Sequence, residues 1–432
     1  MVTGEARRPT TNLVARPGQR SETVRRANLS AIVRELHLRG PLSRTELVER
    51  TGLTRSGIRA VLTDLVSLDL AREERAASQG APGRPSPMVR PNSQGATVLA
   101  LEIGVDSLAV AVVGLGGEIV DLVRMDRPWG RFSLADTVGD LVELARMVRS
   151  RRRRRESLIG IGVSIAGIVR REDGFVRMAP NLGWRDVALG AALAERLESD
   201  LSLSVANDAD LGALAEQRRG AALGVDQVVY IAGDAGVGGG LIVNGRPFTG
   251  LAGYGGEVGH IPVNPTGSVC RCGSVGCWET EVGESALLTR AGRPPDGGRA
   301  EVDALLLDAD SGSPAAIDAL DDVGRWLGVG LAGLVNVLNP ELIVLGGQFG
   351  RTYPYVIASL RAELDRLTLE ASRAMVRVVP ATLGADAPLL GAAELAFEPL
   401  LADPAAWRLP VCRPIRVRRP RGAAESSASR RQ

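Results

Sequence analysis

Three of the four cysteines in this 432-residue chain, Cys270, Cys272 and Cys277, stand shortly after His260, one of only two histidines. Three thiolates and one imidazole suit tetrahedral zinc, and four protein ligands leave no position open for a substrate water, so such a site is structural. Any fold of this chain must therefore bring residues 260–277 round a single point. Gly273 and Gly276 permit the tight turns that this needs. The alternative, three buried free thiols, leaves the dense spacing unexplained. A cluster of this kind fits a reducing compartment better than a disulfide framework. Cys412 reads as a bystander in the C-terminal tail, and His37 as a partly exposed helix residue.

No apolar run approaches the ~20 residues needed to cross a bilayer, and residues 1–30 lack the apolar stretch of a secretory signal. The expectation is a cytoplasmic protein with no membrane partner. The net charge of +2 hides an asymmetry. Residues 1–95 carry 16 Arg against 9 acids, residues 405–432 carry 8 Arg against Glu425 alone, and the stretch between is acidic. A basic front end on an acidic body points to one module that meets a polyanion and one that does not. Residues 1–22, with Pro9, Pro17 and Gly18, read as a disordered tail, and 405–432 as a second, basic disordered tail.

Within 23–92 the pattern is helical. Leu29, Ile32, Val33 and Leu36 repeat at helical spacing, and Gly40 and Pro41 stop that helix. Ser43 followed by Glu46 makes a capping box for a second helix ending near Gly52, and Thr54 can cap a third. There Ile58, Val61, Leu62 and Leu65 form the apolar stripe, leaving Arg55, Ser56 and Arg59 on another face. Three short helices of this kind read as a helix-turn-helix whose third helix enters the major groove. The segment 71–91 reads as a wing with linker, and Arg84 in it as a contact to a phosphate or the minor groove. The charge excess favours DNA over a merely structural three-helix bundle.

Beyond residue 95 glycine-punctuated strands alternate with Ala/Leu-rich helices. Strands are expected at 97–103, 108–113, 118–123, 158–165, just before Asn207, 228–231, 240–243 and 342–345, and helices at 133–150, 188–197 and 317–338. This is an α/β pattern in two related lobes with a cleft between them. The arginine run at 151–155 ends a predicted helix and reads as a solvated charged turn, not a nucleic-acid contact.

Several motifs in this region go together: Glu257-Val258-Gly259-His260, the cysteine cluster, Cys277-Trp278-Glu279, Ala206-Asn207-Asp208-Ala209, the glycine loop from Ala235 to Gly240, and Asn339-Pro340 leading into Gly346-Gly347. With them, residues from about 97 to 400 resemble the ROK family, named for repressors, open reading frames and sugar kinases. The resemblance implies a two-lobed actin/hexokinase-like (ribonuclease H-like) domain over 97–404. With a winged helix-turn-helix ahead of it, the whole resembles the family's repressor branch. In the kinases of that family the sugar lies between the lobes, which implies contacts from Asn207, Asp208, Glu257, His260 and Glu279 here. The chemistry agrees: carboxylates accept from hydroxyls, Asn207 both donates and accepts, and a zinc-held His260 offers its other nitrogen. Asn181-Leu182-Gly183-Trp184 is a further candidate lining of the cleft.

Asp208 matches the kinases' general base. The phosphate apparatus does not match. Where the kinases carry Asp-x-Gly-x-Thr, this chain has Glu102-Ile103-Gly104-Val105-Asp106, and the threonine position of the second glycine loop is Ala235, preceded by Asp234. Each added carboxylate near a triphosphate costs roughly 1–4 kcal/mol at contact distance. The glycines that remain can serve turns and close packing alone.

The expected protein is a sugar-responsive DNA-binding regulator, a repressor, that binds a sugar, amino sugar or sugar phosphate, carries structural zinc and does not use ATP. Its partner is operator DNA, and it is expected to act as a homodimer or homotetramer, since paired recognition helices match operator symmetry. Two other readings stay open: an ATP-dependent sugar kinase fused to a DNA-binding domain, with Asp208 catalytic, and an architectural DNA-binding protein whose body only oligomerises.

Overall fold

In the computed structural model, which describes residues 21–74, 87–127, 132–151, 158–197 and 200–407, the local signals near the N-terminus act as expected. The first helix, α1 (Ser21–Arg39), is followed by a two-residue strand, β1 (Leu42–Ser43), and by α2 (Arg44–Thr51). The capping box is formed at both ends, with the Glu46 N–H donating to Ser43 Oγ at 3.2 Å and the Ser43 N–H donating to Glu46 Oε2 at 2.7 Å. Gly52 closes α2 at φ 69°, a left-handed value that glycine tolerates. Thr54 then caps α3 (Arg55–Ser67) by accepting from the Gly57 N–H at 3.1 Å. Strands β2 (Ala71–Glu74) and β3 (Met88–Pro91) pair antiparallel, and β1 adds to β3. Leu29, Ile32, Val33, Leu36, Leu47, Ile58, Leu62 and Leu65 make the buried centre of this unit.

Three expectations for this region are corrected. Helix α1 begins at Ser21, so the tail cannot run to 22. His37 is fully buried, because it continues the stripe of Leu29, Ile32, Val33 and Leu36. Residues 399–407 group with the N-terminal unit and do not close the α/β unit. There Ser30 Oγ donates to the Leu401 carbonyl at 2.6 Å, Arg26 pairs with Asp403 at 3.1 Å, and Pro404–Ala406 form a 3-10 turn where a tail was expected from 405. Arg84, most of the run at 151–155, and the remaining tails lie outside the described residues.

The second unit covers residues 93–398 in its described part. Its first half holds β4 (Thr97–Ile103), β5 (Ser107–Gly114), β6 (Ile119–Asp126), α4 (Leu134–Ser150), β7 (Leu158–Ile165), β8 (Ile168–Arg170), β9 (Phe175–Ala179), β10 (Trp184–Val187), α5 (Leu189–Leu197) and β11 (Ser202–Asn207). Its second half holds α6 (Asp208–Arg219), β12 (Val228–Gly233), β13 (Val237–Val243), β14 (Arg246–Phe248), α7 (Trp278–Val282), α8 (Glu284–Arg290), α9 (Gly298–Asp310), α10 (Pro314–Leu338), β15 (Leu342–Gly346), α11 (Gly347–Leu367), α12 (Glu370–Arg373), β16 (Arg377–Pro380) and α13 (Ala387–Ala402), whose last turn belongs to the other unit.

The halves repeat one topology. The first sheet runs β6-β5-β4-β7-β11 and the second β14-β13-β12-β15-β16, each an antiparallel meander extended by two parallel strands. A small sheet of β8, β9 and β10 is added to the first half. Apolar residues on one face of β4, β5 and β7 meet Val138, Leu141 and Leu144 of α4, while α10 and α11 pack with Ile231, Ile343 and Leu345. On the other face of β7 only glycine lets α13 approach, since a Cβ on Gly162 would lie 1.9 Å from the Ala392 carbonyl oxygen. Among the described residues no helix is long and apolar enough to cross a membrane.

Candidate functional site

The site is assembled where β11 turns into α6. Asn207 ends the strand and caps the helix: its Oδ1 accepts from the N–H groups of Ala209 at 2.8 Å and Asp210 at 3.2 Å, and its Nδ2 donates to the Gly167 carbonyl at 3.1 Å. The sequence marked Asn207 as a ligand. The structure gives it a positioning role as well, leaving one amide hydrogen for anything bound. Asp208, on the first turn, accepts from the Ala209 N–H at 2.9 Å, and burial raises its pKa against that bond. Asp210, 4 % exposed, is pushed up to about 7 by burial, with Arg171 acting in the opposite sense and Asp208 adding to the rise. The sequence reading missed Asp210, although it stands in the same Asn-Asp-Ala-Asp run.

The glycine loop explains how other elements reach this helix end. A Cβ on Gly240 would sit 2.3 Å from the Ala209 carbonyl oxygen, and one on Gly239 would meet Val258 at 2.5 Å. Helix α6 and the Glu257 segment thus both close on β13 because it is bare. Glu257 precedes the 3-10 turn Val258–His260. Burial raises its pKa, His260 opposes the rise, and the fields of Asp208, Asp210 and Glu279 add to it. These groups therefore share one neighbourhood. Glu279, on α7, accepts from the Val237 N–H through Oε2 at 2.9 Å, and its Oε1 lies 4.0 Å from Cys270 Sγ.

His260 also faces the cysteines. Its Nδ1 lies 3.7 Å from Cys270 Sγ, Cys272 Sγ lies 3.6 Å from Cys277 Sγ, and the four ligand atoms all lie within 4.8 Å of one another. Zinc–sulfur bonds of about 2.3 Å at tetrahedral angles put neighbouring sulfurs roughly 3.8 Å apart, so the donor set fits the ion. Nδ1 is the nitrogen turned to the metal position, leaving Nε2 for a ligand. The turns are made as the glycines suggested: Gly273 has φ 96°, and at Gly276 (φ 65°) a Cβ would strike the Asn264 carbonyl oxygen.

The sequence reading could assign no contact to Asn181. In the structure Arg271 Nη1 donates to Asn181 Oδ1 at 2.7 Å, and Asn181 Nδ2 lies 3.7 Å from where a Cβ on Gly236 would be. Arg271 carried no motif signal beyond lying between two cysteines.

The field of Asp208 also reaches Glu102 and Asp234, the carboxylates that stand where the resemblance led phosphate-binding residues to be expected. Glu102, at the end of β4, is pushed up to about 7 by burial, relieved by Arg124 and reinforced by Asp208, Asp386 and Asp234. Arg124 Nη1 approaches it to 3.5 Å, short of a hydrogen bond to its buried Oε2. Asp234 is exposed, in the field of Asp208, Glu284 and Asp106. At Gly347, φ 55°, a Cβ would lie 2.4 Å from the Gly233 carbonyl oxygen and 2.9 Å from Asp234 Oδ2, so only glycine fits there.

In the N-terminal unit Arg55, Ser56 and Arg59 are exposed on α3, opposite its buried stripe. Ser56 Oγ lies 3.1 Å from Thr54 Oγ1, and among the described residues neither arginine has an ion-pair partner.

Comparison with known proteins gives three kinds of match. The model of the ROK family matches residues 98–398. The xylose repressor of Bacillus subtilis is 28% identical over 381 residues, covering 88% of this chain and 97% of its own. A glucokinase of Streptomyces coelicolor is 32% identical over 322 residues, covering 70% of this chain and 98% of its own. The crystal structure of a ROK family transcriptional regulator, a homologue of the E. coli MLC protein, superimposes with a TM-score of 0.71 at 26% identity, covering 88% of this chain and 97% of that one.

Proposed function

The chain belongs to the ROK family, and from that premise we propose that it is a sugar-responsive, DNA-binding transcriptional repressor. The observation that carries this is the extent of the two kinds of relative. The glucokinase is matched almost whole by 70% of this chain, whereas the repressor match extends over 88%. What separates the two shares is room for a unit whose third helix shows Arg55 and Arg59 to solvent. Arg55, Ser56 and Arg59 read the operator in the major groove, and Arg84 adds a contact from the wing. Two copies of the chain, or four, present paired recognition helices to a palindromic site.

The effector sugar is held by Asp208, Glu257, Glu279, the free nitrogen of His260 and the remaining amide hydrogen of Asn207. Zinc on His260, Cys270, Cys272 and Cys277 fixes the imidazole ring and the loop, a role that needs no open coordination position. The thiolate set suits the reducing cytoplasm. Sugar binding shifts the regulator between two states by no more than its preference for one of them.

Glu102, Asp106 and Asp234 disfavour a bound triphosphate, and phosphoryl transfer depends on positioning and charge neutralisation that these side chains oppose. The kinase reading is supported by the 32% identity to a glucokinase and by the half-buried Asp208, whose pKa burial raises. An operator-binding titration against a panel of sugars, run beside a coupled ATP-turnover assay, separates the two. Operator affinity that answers to a sugar without ATP turnover supports the repressor. Turnover abolished by Asp208→Asn supports the kinase. Operator affinity indifferent to every sugar would sink the regulatory reading.

A further inference from the structure

Between the zinc loop and the start of α8 lies a cavity of about 410 Å³. It shares Glu279 and Cys270 with the sugar and metal positions, and Ala235 of the glycine loop completes that side. Pockets that bury a drug-sized molecule begin at about 300 Å³. Asp208, Glu257 and His260 do not line it, so the space is additional to the ring position that they define.

The wall is rich in acceptors. Thr280 Oγ1 donates to the Cys277 carbonyl at 2.7 Å and Ser285 Oγ to the Pro295 carbonyl at 2.8 Å. With their hydrogens committed, both hydroxyl oxygens offer lone pairs. Glu279 and Glu284 add carboxylate oxygens. Of the two wall arginines, Arg290 donates from both terminal nitrogens to the carbonyl and carboxylate of Glu281, and Arg271 donates through Nη1 to Asn181. A phosphate meets the carboxylates of Glu279, Glu281 and Glu284 on this wall. A neutral polyhydroxyl group, which donates from every carbon, meets what it needs.

We propose that this cavity is a second saccharide subsite, so that the effector is an uncharged disaccharide or glycoside, not a monosaccharide or sugar phosphate. The proposal rests on the sugar site described above, with the ring in that site and its substituent beyond Glu279. Ala286 forms part of the wall without offering a polar side chain. The test is isothermal titration of the full zinc-loaded chain with glucose, xylose, maltose, cellobiose, xylobiose, glucose 6-phosphate and ATP, repeated on Ala286→Phe. Thr289→Trp, at an exposed place on the same wall, gives a second reading should the first variant fold poorly.

The expected result is one disaccharide bound at least tenfold more tightly than its own monosaccharide, with that advantage erased by either variant while the monosaccharide's Kd stays within twofold. Monosaccharide binding as tight as that of every disaccharide, a preference that survives both variants, or tightest binding of glucose 6-phosphate or ATP overturns the subsite. If a monosaccharide still binds in those cases, the sugar-site reading stands. Absence of binding by every saccharide overturns both.

Discussion

Arg271, held between Cys270 and Cys272, donates through Nη1 to Oδ1 of Asn181 at 2.7 Å and so ties the cysteine loop to the segment between β9 and β10. The two residues belong to different halves of the duplicated fold. The loop that carries the cysteine cluster thus touches the other half at the candidate cleft. This bond is a charge-assisted one at a partly solvated position, worth about 1 kcal/mol. Replacing Arg271 with Ala is expected to weaken sugar binding by roughly fivefold, measured by calorimetry, with zinc content unchanged. Asn181→Ala should match it, and the double variant should be no worse than either single one. Additive losses would mean that the two side chains act apart.

The zinc loop makes a separate prediction. Cys277 is fully buried and its sulfur faces Cys272 at 3.6 Å. Cys277→Ser is expected to abolish bound zinc, read by metal analysis. Structural zinc binding amounts to about 10 kcal/mol or more. Its loss should lower the melting temperature by ~5 °C or more, and chelation of the wild-type protein should do the same. Cys412→Ser should change neither.

How much of this was legible in the sequence follows from how local the causes are. The caps at Ser43 and Thr54 and the apolar stripe of α3 are local, and their positions held. His260, Cys270, Cys272 and Cys277 are close in the chain, so their convergence needed only turns at Gly273 and Gly276. The Arg271–Asn181 bond and the cavity behind Glu279 arise from residues far apart in the chain, and no periodicity marks them. Asn207 illustrates the limit within a motif: its place in the site was legible, but not that its side chain is largely taken up by capping α6. His37 was misread because a single histidine at the edge of a helical stripe can fall on either side of it, and here the stripe is wide enough to bury it. The return of residues 399–407 to the N-terminal unit depends on contacts such as Ser30 with Leu401, which nothing in either segment announces.

The buried carboxyls give a pH dependence of definite sign. Burial pushes Glu102 and Asp210 up to about 7 in the folded chain. The folded state therefore holds protons there that the unfolded chain has already released. Stability should fall as pH rises from the ordinary carboxylate range through about 7, each unit of displacement corresponding to about 1.4 kcal/mol. Melting temperatures taken between pH 5 and 8 should decline for the wild type. The decline should be shallower for Asp210→Asn and Glu102→Gln, both of which should be the more stable proteins at pH 8. A wild-type profile parallel to those of the variants would show that these groups ionise normally.

The face of α3 carries the last prediction. Arg59 lies one turn beyond Arg55 on the exposed side of the helix, and among the described residues no carboxylate holds it. A base-edge contact from such an arginine contributes about 1–3 kcal/mol of discrimination. Arg59→Ala should therefore lower operator affinity by roughly tenfold to a hundredfold and relax preference at one base position. A phosphate contact behaves differently, weakening all sequences alike and making the salt dependence shallower by about one counterion. Measuring affinity for operator and mutated operators across salt concentrations assigns Arg55 and Arg59 to one role or the other. Arg325→Ala, an exposed arginine paired with Asp321 and Asp322 on α10, should leave affinity and salt slope unchanged. If the three variants bind alike, α3 is not the reading helix.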